Sequence, residues 1–150
     1  MIVDIKDLLT FKNTKTRLLG LDVGEKTIGL ALSDTLWTIA TGYKTLAREH
    51  LQKDVSNLQE IIKEYKIAAF VIGYPLNMNG SEGPSCERVQ KLAEQFTNLP
   101  IHLWDERLST VAIHKTMLEA DLSRKKRAAL SDKMAASFIL QGALDRFRFL

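Results

Sequence analysis

Residues 17–23 and 27–33 are two apolar, strand-length runs separated only by Gly24-Glu25-Lys26. A connection that short leaves the runs one simple arrangement, an antiparallel hairpin with a glycine-containing turn. Inside it lies an anomaly: Asp22 sits near the end of a strand whose other residues read as buried. A carboxylate in that position needs a cation, a hydrogen-bond cluster or a metal as partner.

Beyond the hairpin a third strand is expected over about residues 36–45. From Leu51 to Tyr65 the apolar positions Leu51, Val55, Leu58, Ile61, Ile62 and Tyr65 recur at helical spacing, which predicts an amphipathic helix laid on the sheet. "AAFVIGYP" reads as a short strand covered on both faces, as parallel strands are. A loop rich in Gly, Pro, Asn and Ser follows, then a helix over about 85–96, then the strand "IHLW", which runs into Asp105-Glu106. Two helices close the chain, one from near Ser109 or Thr110 and one over about 126–147. A meander of three strands followed by alternating helix and strand predicts an α/β fold, a mixed sheet flanked by helices. At 150 residues and 45% hydrophobic content there is material for one domain, here placed at residues 17–150 behind an extension at 1–16 whose "IKDLL" suits a short helical turn.

The last helix carries a second anomaly. Counting on from Asp132, the positions at helical spacing are Ala135, Ala136, Ile139, Leu140, Ala143, Leu144 and Phe147, all apolar. Asp132 therefore lies on the stripe that faces the core. It serves either as an N-terminal acid complementing the helix dipole or as a member of a buried acidic site.

Asp22 and the Asp105-Glu106 pair stand at the carboxyl ends of strands, where open α/β sheets place their ligand crevice. Carboxylates converging there repel one another unless a hard divalent cation with oxygen ligands lies between them. Magnesium or manganese fits, and a second ion about 4 Å away would give the two-metal geometry of phosphodiester cleavage. On this reading Asp22, Asp105 and Asp132 are metal ligands, and Glu106 is an outer ligand or a partner of Arg107. Neighbouring strand residues point to opposite faces, so Asp105, which shares the face of Ile101 and Leu103, and Glu106, which shares that of His102 and Trp104, cannot both reach one ion along a regular strand. Gly24 permits the tight turn, and Gly29 leaves room for a substrate backbone.

Net charge is +3, from 21 basic and 18 acidic residues, so its distribution says more than its sum. Arg124, Lys125, Lys126 and Arg127 form a run of four cations, and Arg107, Lys133 and Arg146 also fall in the last third. Such a run is either a solvated face or a phosphate-binding surface. The lone Cys86 cannot form an internal disulfide and reads as a core residue in a reducing compartment. His50, His102 and His114 read as structural, and Trp37 and Trp104 as core or sheet-face residues. No window approaches the roughly 20 apolar residues of a membrane span, so a cytoplasmic location without membrane association is expected.

"GLDVGEKTIGLALSD", "VIGYPLNMNGSEGP", "DERLST" and "SDKMAASFILQGAL", in this order, resemble the YqgF/RuvX family of pre-16S rRNA nucleases and Holliday junction resolvases. The resemblance covers about residues 17–147. It implies a ribonuclease H-like fold with a five-stranded mixed sheet, divalent-metal catalysis and a role in 5′-end maturation of 16S ribosomal RNA. The family's acids fall on Asp22, on the Asp105-Glu106 pair and on Asp132. Tyr74 departs from it, since the family more often has leucine before that proline.

Three function classes follow. The first is a metal-dependent endonuclease acting on structured RNA such as the 16S precursor or on branched DNA, as a monomer or homodimer. The second, a phosphotransferase of the actin-like kind, is opposed by the single domain and by the missing G-x-x-x-x-G-K-[ST] loop. The third is a nucleic-acid-binding module without catalysis.

Overall fold

A computed structural model describes the backbone of residues 1–108 and 124–150 and the side chains of residues 1–107 and 132–150. Five strands form one mixed sheet: β1 (Arg17–Val23), β2 (Thr27–Ser33), β3 (Ala40–Ala47), β4 (Ile67–Tyr74) and β5 (Ile101–Asp105), in the spatial order β3-β2-β1-β4-β5. The hairpin pairs β1 with β2 antiparallel, opposing Asp22 to Gly29, and β2 pairs antiparallel with β3. β4 lies parallel to β1, and β5 parallel to β4, so the carboxyl ends of β1, β4 and β5 share one edge of the fold.

The sheet divides the core into two layers. On one face, α2 (Leu51–Tyr65) and α3 (Pro84–Ala93) pack Leu58, Ile61, Cys86, Val89 and Leu92 against Leu19, Leu21, Phe70, Ile72 and Ile101. On the other, α4 (Arg124–Arg146) lays Ala135, Ala136, Ile139, Leu140, Ala143 and Leu144 on Leu18, Ala31, Ala69, Val71 and Trp104. That is the stripe expected from the periodicity. The N-terminal segment joins this second layer: α1 (Ile5–Leu8) buries Leu8 completely. Ahead of it, Met1 to Val3 pairs along the outer edge of β5 through hydrogen bonds of 2.7 and 2.8 Å with Ile101. An edge so covered is no longer a template for another strand.

Three expectations shift. β3 begins at Ala40, not near residue 36, because Asp34 closes a turn: its carboxylate accepts from the backbone of Thr38 and Ile39 at 2.7 and 3.0 Å, and Trp37 takes a left-handed φ of 58°. α3 spans Pro84–Ala93, one residue earlier at its start and three shorter at its end than the spacing predicts. α4 starts at Arg124, two residues before the expected position. The helix expected from Ser109 or Thr110, with His114, lies outside the described residues. Trp37 and Trp104 are buried as expected, and Cys86 is fully buried with its Sγ 3.6 Å from the Pro75 carbonyl. His50 caps α2, accepting from the Lys53 amide, and His102 places Nδ1 3.0 Å from the Val3 carbonyl. Burial holds the His102 imidazole below its ordinary pKa.

Candidate active site

The side chains on the α4 face of the sheet decide what can meet. Along β1, Leu18 packs in the α4 layer and Leu19 and Leu21 in the opposite one, so by alternation Asp22 points towards α4. Along β5, Trp104 packs in the α4 layer while Ile101 and Leu103 pack in the other, so continuing the alternation past the strand end puts Glu106 on the α4 face and Asp105 on the far one. β4 contributes Gly73 between them. A Cβ built there would stand 2.5 Å from Glu106 Oε1 and 2.5 Å from Ile139 Cδ1, so the missing side chain is what lets the Glu106 carboxylate lie over the sheet.

The result is a cleft of about 210 Å³ lined by Asp22, Val23, Gly24, Gly73, Pro75, Ser85, Arg88, Glu106 and Asp132. Asp132 is oriented by Thr27, whose hydroxyl donates to Oδ2 at 2.7 Å. Wider cavities of about 510 and 550 Å³ lie beside Tyr74 and Met1 and beside Trp104 and Arg146, and neither is lined by Asp22, Glu106 or Asp132.

The cleft brings together Asp22, Glu106 and Asp132 and leaves Asp105 out. The lean towards Asp105 over Glu106 is thus reversed by the strand's parity. Asp105 is held instead by Arg107, which donates through Nη2 at 2.8 Å and through Nε at 3.1 and 3.2 Å to its two oxygens. Those hydrogen bonds lower the Asp105 carboxyl below the usual carboxylate range and raise the Arg107 guanidinium. Arg107 also donates to the Met78 carbonyl at 3.4 Å, so it ties the end of β5 to the loop after β4 and does not line the cleft.

Gly29 needs the second correction. A Cβ on Gly29 would overlap the Asp132 carbonyl oxygen and stand 2.5 Å from its carbon. The space belongs to the backbone of α4, which crosses β2 at that point, and not to a substrate. Gly24 keeps its expected part in the turn, its amide donating to the Thr27 carbonyl at 2.8 Å, and it also borders the cleft. Lys133 lies over β3 with its Cβ 3.4 Å from the position a Gly42 Cβ would take. The side chains of Arg124, Lys125, Lys126 and Arg127 lie outside the described residues.

Two contributors were not singled out from sequence. Gly73 carries no signal except its place in an otherwise apolar strand. Arg88 sits on α3, where polar positions of an amphipathic helix read as solvent-facing. Tyr74 has a packing role: its hydroxyl donates to Glu82 at 2.7 Å and receives Gln90 at 2.5 Å, joining the end of β4 to α3. Burial raises its pKa well above the usual phenolic value, so it remains a donor.

The donor set suits a hard divalent cation, since all three acids of the cleft offer carboxylate oxygens. The carboxylates surround the cleft without closing on one point. Among the described residues no three His, Cys, Asp or Glu side chains form a ready coordinating group.

A mixed sheet of this strand order, with an acidic cleft at the carboxyl ends of its central strands, defines a protein of ribonuclease H-like fold. RuvC of Thermus thermophilus in complex with a Holliday junction substrate superposes with a TM-score of 0.55 over 89% of this chain and 96% of that one, at 12% identity, and the same protein's separate structure with 0.53. The family model described as "RuvX: Holliday junction resolvase" matches residues 16–146, and the chain belongs to that family. Among its relatives, a protein of Rhodobacter capsulatus named "Putative pre-16S rRNA nuclease" is 56% identical over 89% of this chain and 86% of its own length. One of Clostridium kluyveri with the same name is 54% identical over 87% and 97%.

Proposed function

We propose that this chain is a divalent-metal-dependent endonuclease that matures the 5′ end of the 16S rRNA precursor in the cytoplasm. The observation that carries the reading is the single cleft lined by Asp22, Glu106 and Asp132 from two strand ends and a helix. The names of the relatives supply the substrate. Magnesium or manganese held by those three acids would activate a water and offset the charge of the phosphate under attack.

The chain's own residues do the positioning. Asp22 is fixed by the hydrogen-bonded pairing of β1 with β2, opposite Gly29. Asp132 is fixed by Thr27 and by the close seating of α4 on Gly29. Glu106 is fixed over Gly73. Three anionic groups on rigid elements exclude a fourth anion until their charge is offset, so substrate entry and cation binding are coupled.

A second substrate, a four-way DNA junction, is favoured by one observation, the likeness of fold to a RuvC bound to such a junction. The test sets a 16S precursor fragment beside a four-way DNA junction, each with magnesium and with manganese, for wild type and Asp22→Asn. Cleavage of the precursor by wild type and its loss in Asp22→Asn is expected. Junction cleavage alone would transfer the reading to branched DNA, and an active Asp22→Asn would show that the site is elsewhere.

A further inference from the structure

Arg88 is a cation in a cleft whose other charged residues, among those described, are the acids Asp22, Glu106 and Asp132. It rises from the first turns of α3, whose other face buries Cys86, Val89 and Leu92, so its helix is anchored in the core. Among the described residues Arg88 takes part in no ion pair, in contrast to Arg48 and Arg107, each committed to a carboxylate. It is half-buried, and Ser85 borders the same cleft one turn earlier.

We propose that Arg88 grips the non-bridging oxygens of the phosphate being cleaved, a role that rests on the nuclease reading above. The charges argue for it. Among the described residues that line the cleft, three carboxylates and one guanidinium sum to two net negative charges, so Arg88 alone does not make it attractive to a phosphodiester. A bound divalent cation cancels those two charges, and Arg88 is then placed, among the described residues of the cleft, to receive the anion.

Hydrolysis joins a water oxygen to phosphorus and breaks one ester P–O bond. One product keeps the phosphate, and the water's proton ends on the departing hydroxyl. Between the two, the non-bridging oxygens carry more negative charge than in the substrate, and a fixed guanidinium fork stabilises them most at that moment. Lysine supplies the charge without the fork. If Arg88 served only to offset the acids, its removal would tighten cation binding and leave turnover alone. If it only held α3 in place, metal affinity, binding and stability would all fall together.

The test uses the full chain with Arg88→Gln and Arg88→Lys. Manganese affinity is measured by calorimetry, binding of the 16S precursor fragment and of the four-way junction in calcium across a salt series, and kcat and KM in magnesium. For Arg88→Gln, kcat should fall about 100-fold. Binding should weaken about tenfold, with the log-log salt slope smaller in magnitude by about one. Manganese affinity should stay level or tighten, and Arg88→Lys should restore binding but only part of kcat. Wild-type kcat and wild-type binding in Arg88→Gln would overturn the assignment, as would a loss of manganese affinity in step with activity. The binding series reads Arg88 even where no cleavage occurs. A wild type that binds but does not cleave therefore sinks the nuclease reading alone, whereas one that binds neither nucleic acid sinks both.

Discussion

Arg48 Nε stands 3.2 Å from Asp54 Oδ2, and the pair is almost wholly out of solvent, with the Asp54 side chain 3% exposed. The same guanidinium donates through Nη1 to the Gly24 carbonyl at 3.0 Å, and Arg48's amide donates to Lys26 at 2.8 Å. Asp54, in the first turn of α2, thereby steadies the hairpin turn that follows Asp22. A buried pair broken by removing one partner leaves an uncompensated charge and costs about 3 kcal/mol or more. Asp54→Ala is expected to lose that much in urea unfolding, with reduced activity because the turn bordering the cleft loosens. A loss below about 1 kcal/mol would put the pair in the class of exposed salt bridges.

Gly29→Ala sets backbone against backbone. The added methyl meets the Asp132 carbonyl, which cannot rotate away as a side chain end can. Overpacking of this kind costs about 3 kcal/mol, a fall of roughly 6 to 12 °C in Tm for a chain of this size. Thermal melting checks it. A variant that melts like wild type but fails to bind nucleic acid would return Gly29 to the role of substrate neighbour.

Glu106 and Asp105 should separate cleanly. Glu106→Gln, altering a carboxylate of the cleft, is expected to lower kcat by about 100-fold or more, and Asp105→Asn by only a few-fold, through the loosened Arg107. Acid titration gives an independent check on Asp105. Its folded pKa is depressed by Arg107, so the stability it contributes is present above its unfolded value, near 4, and is lost as the pH falls through the lower folded value. The stability gap between wild type and Asp105→Asn should therefore be full at neutral pH and close below about pH 4. A gap that persists undiminished at lower pH would separate Asp105's role from the charge of its pair.

Asp22 and Asp132 were legible because each breaks a periodicity, the acid in an apolar strand and the acid on an apolar helical stripe. The fold was legible for the same reason: the meander and the alternating elements have distinct periods. The choice between Asp105 and Glu106 was not. Alternation shows that they point apart, but which face α4 covers depends on contacts such as that between Trp104 and Gly142. What occupies the space beside Gly29 was not legible, because sequence shows that a side chain is missing without showing that the Asp132 backbone fills its place. Arg88 was not legible, because in sequence a cation on the polar side of an amphipathic helix looks the same whether it meets water or an acidic cleft.

The run Arg124-Lys125-Lys126-Arg127 opens α4 and precedes Asp132 by five to eight residues, about one and a half to two turns. That places its backbone at the Asp132 end of the helix, on the approach to the cleft. Cations in the first turn of a helix oppose its dipole by a few tenths of a kcal/mol each, so folding gains nothing from them there. A nucleic-acid backbone gains a great deal, since each neutralised phosphate releases condensed counterions. Changing Lys125, Lys126 and Arg127 together to Gln should weaken binding of the 16S precursor at moderate salt and flatten the log-log salt dependence by up to about three. Manganese affinity should hold, because the substituted side chains are not among the three acids proposed to bind the ion. Arg88→Gln, by contrast, is expected to change the slope by about one and to lower kcat, so the two variants separate a docking surface from a contact at the cleaved phosphate. Wild-type binding by the triple variant across the whole salt series would make the run a solvated face and send the nucleic acid over another side of α4.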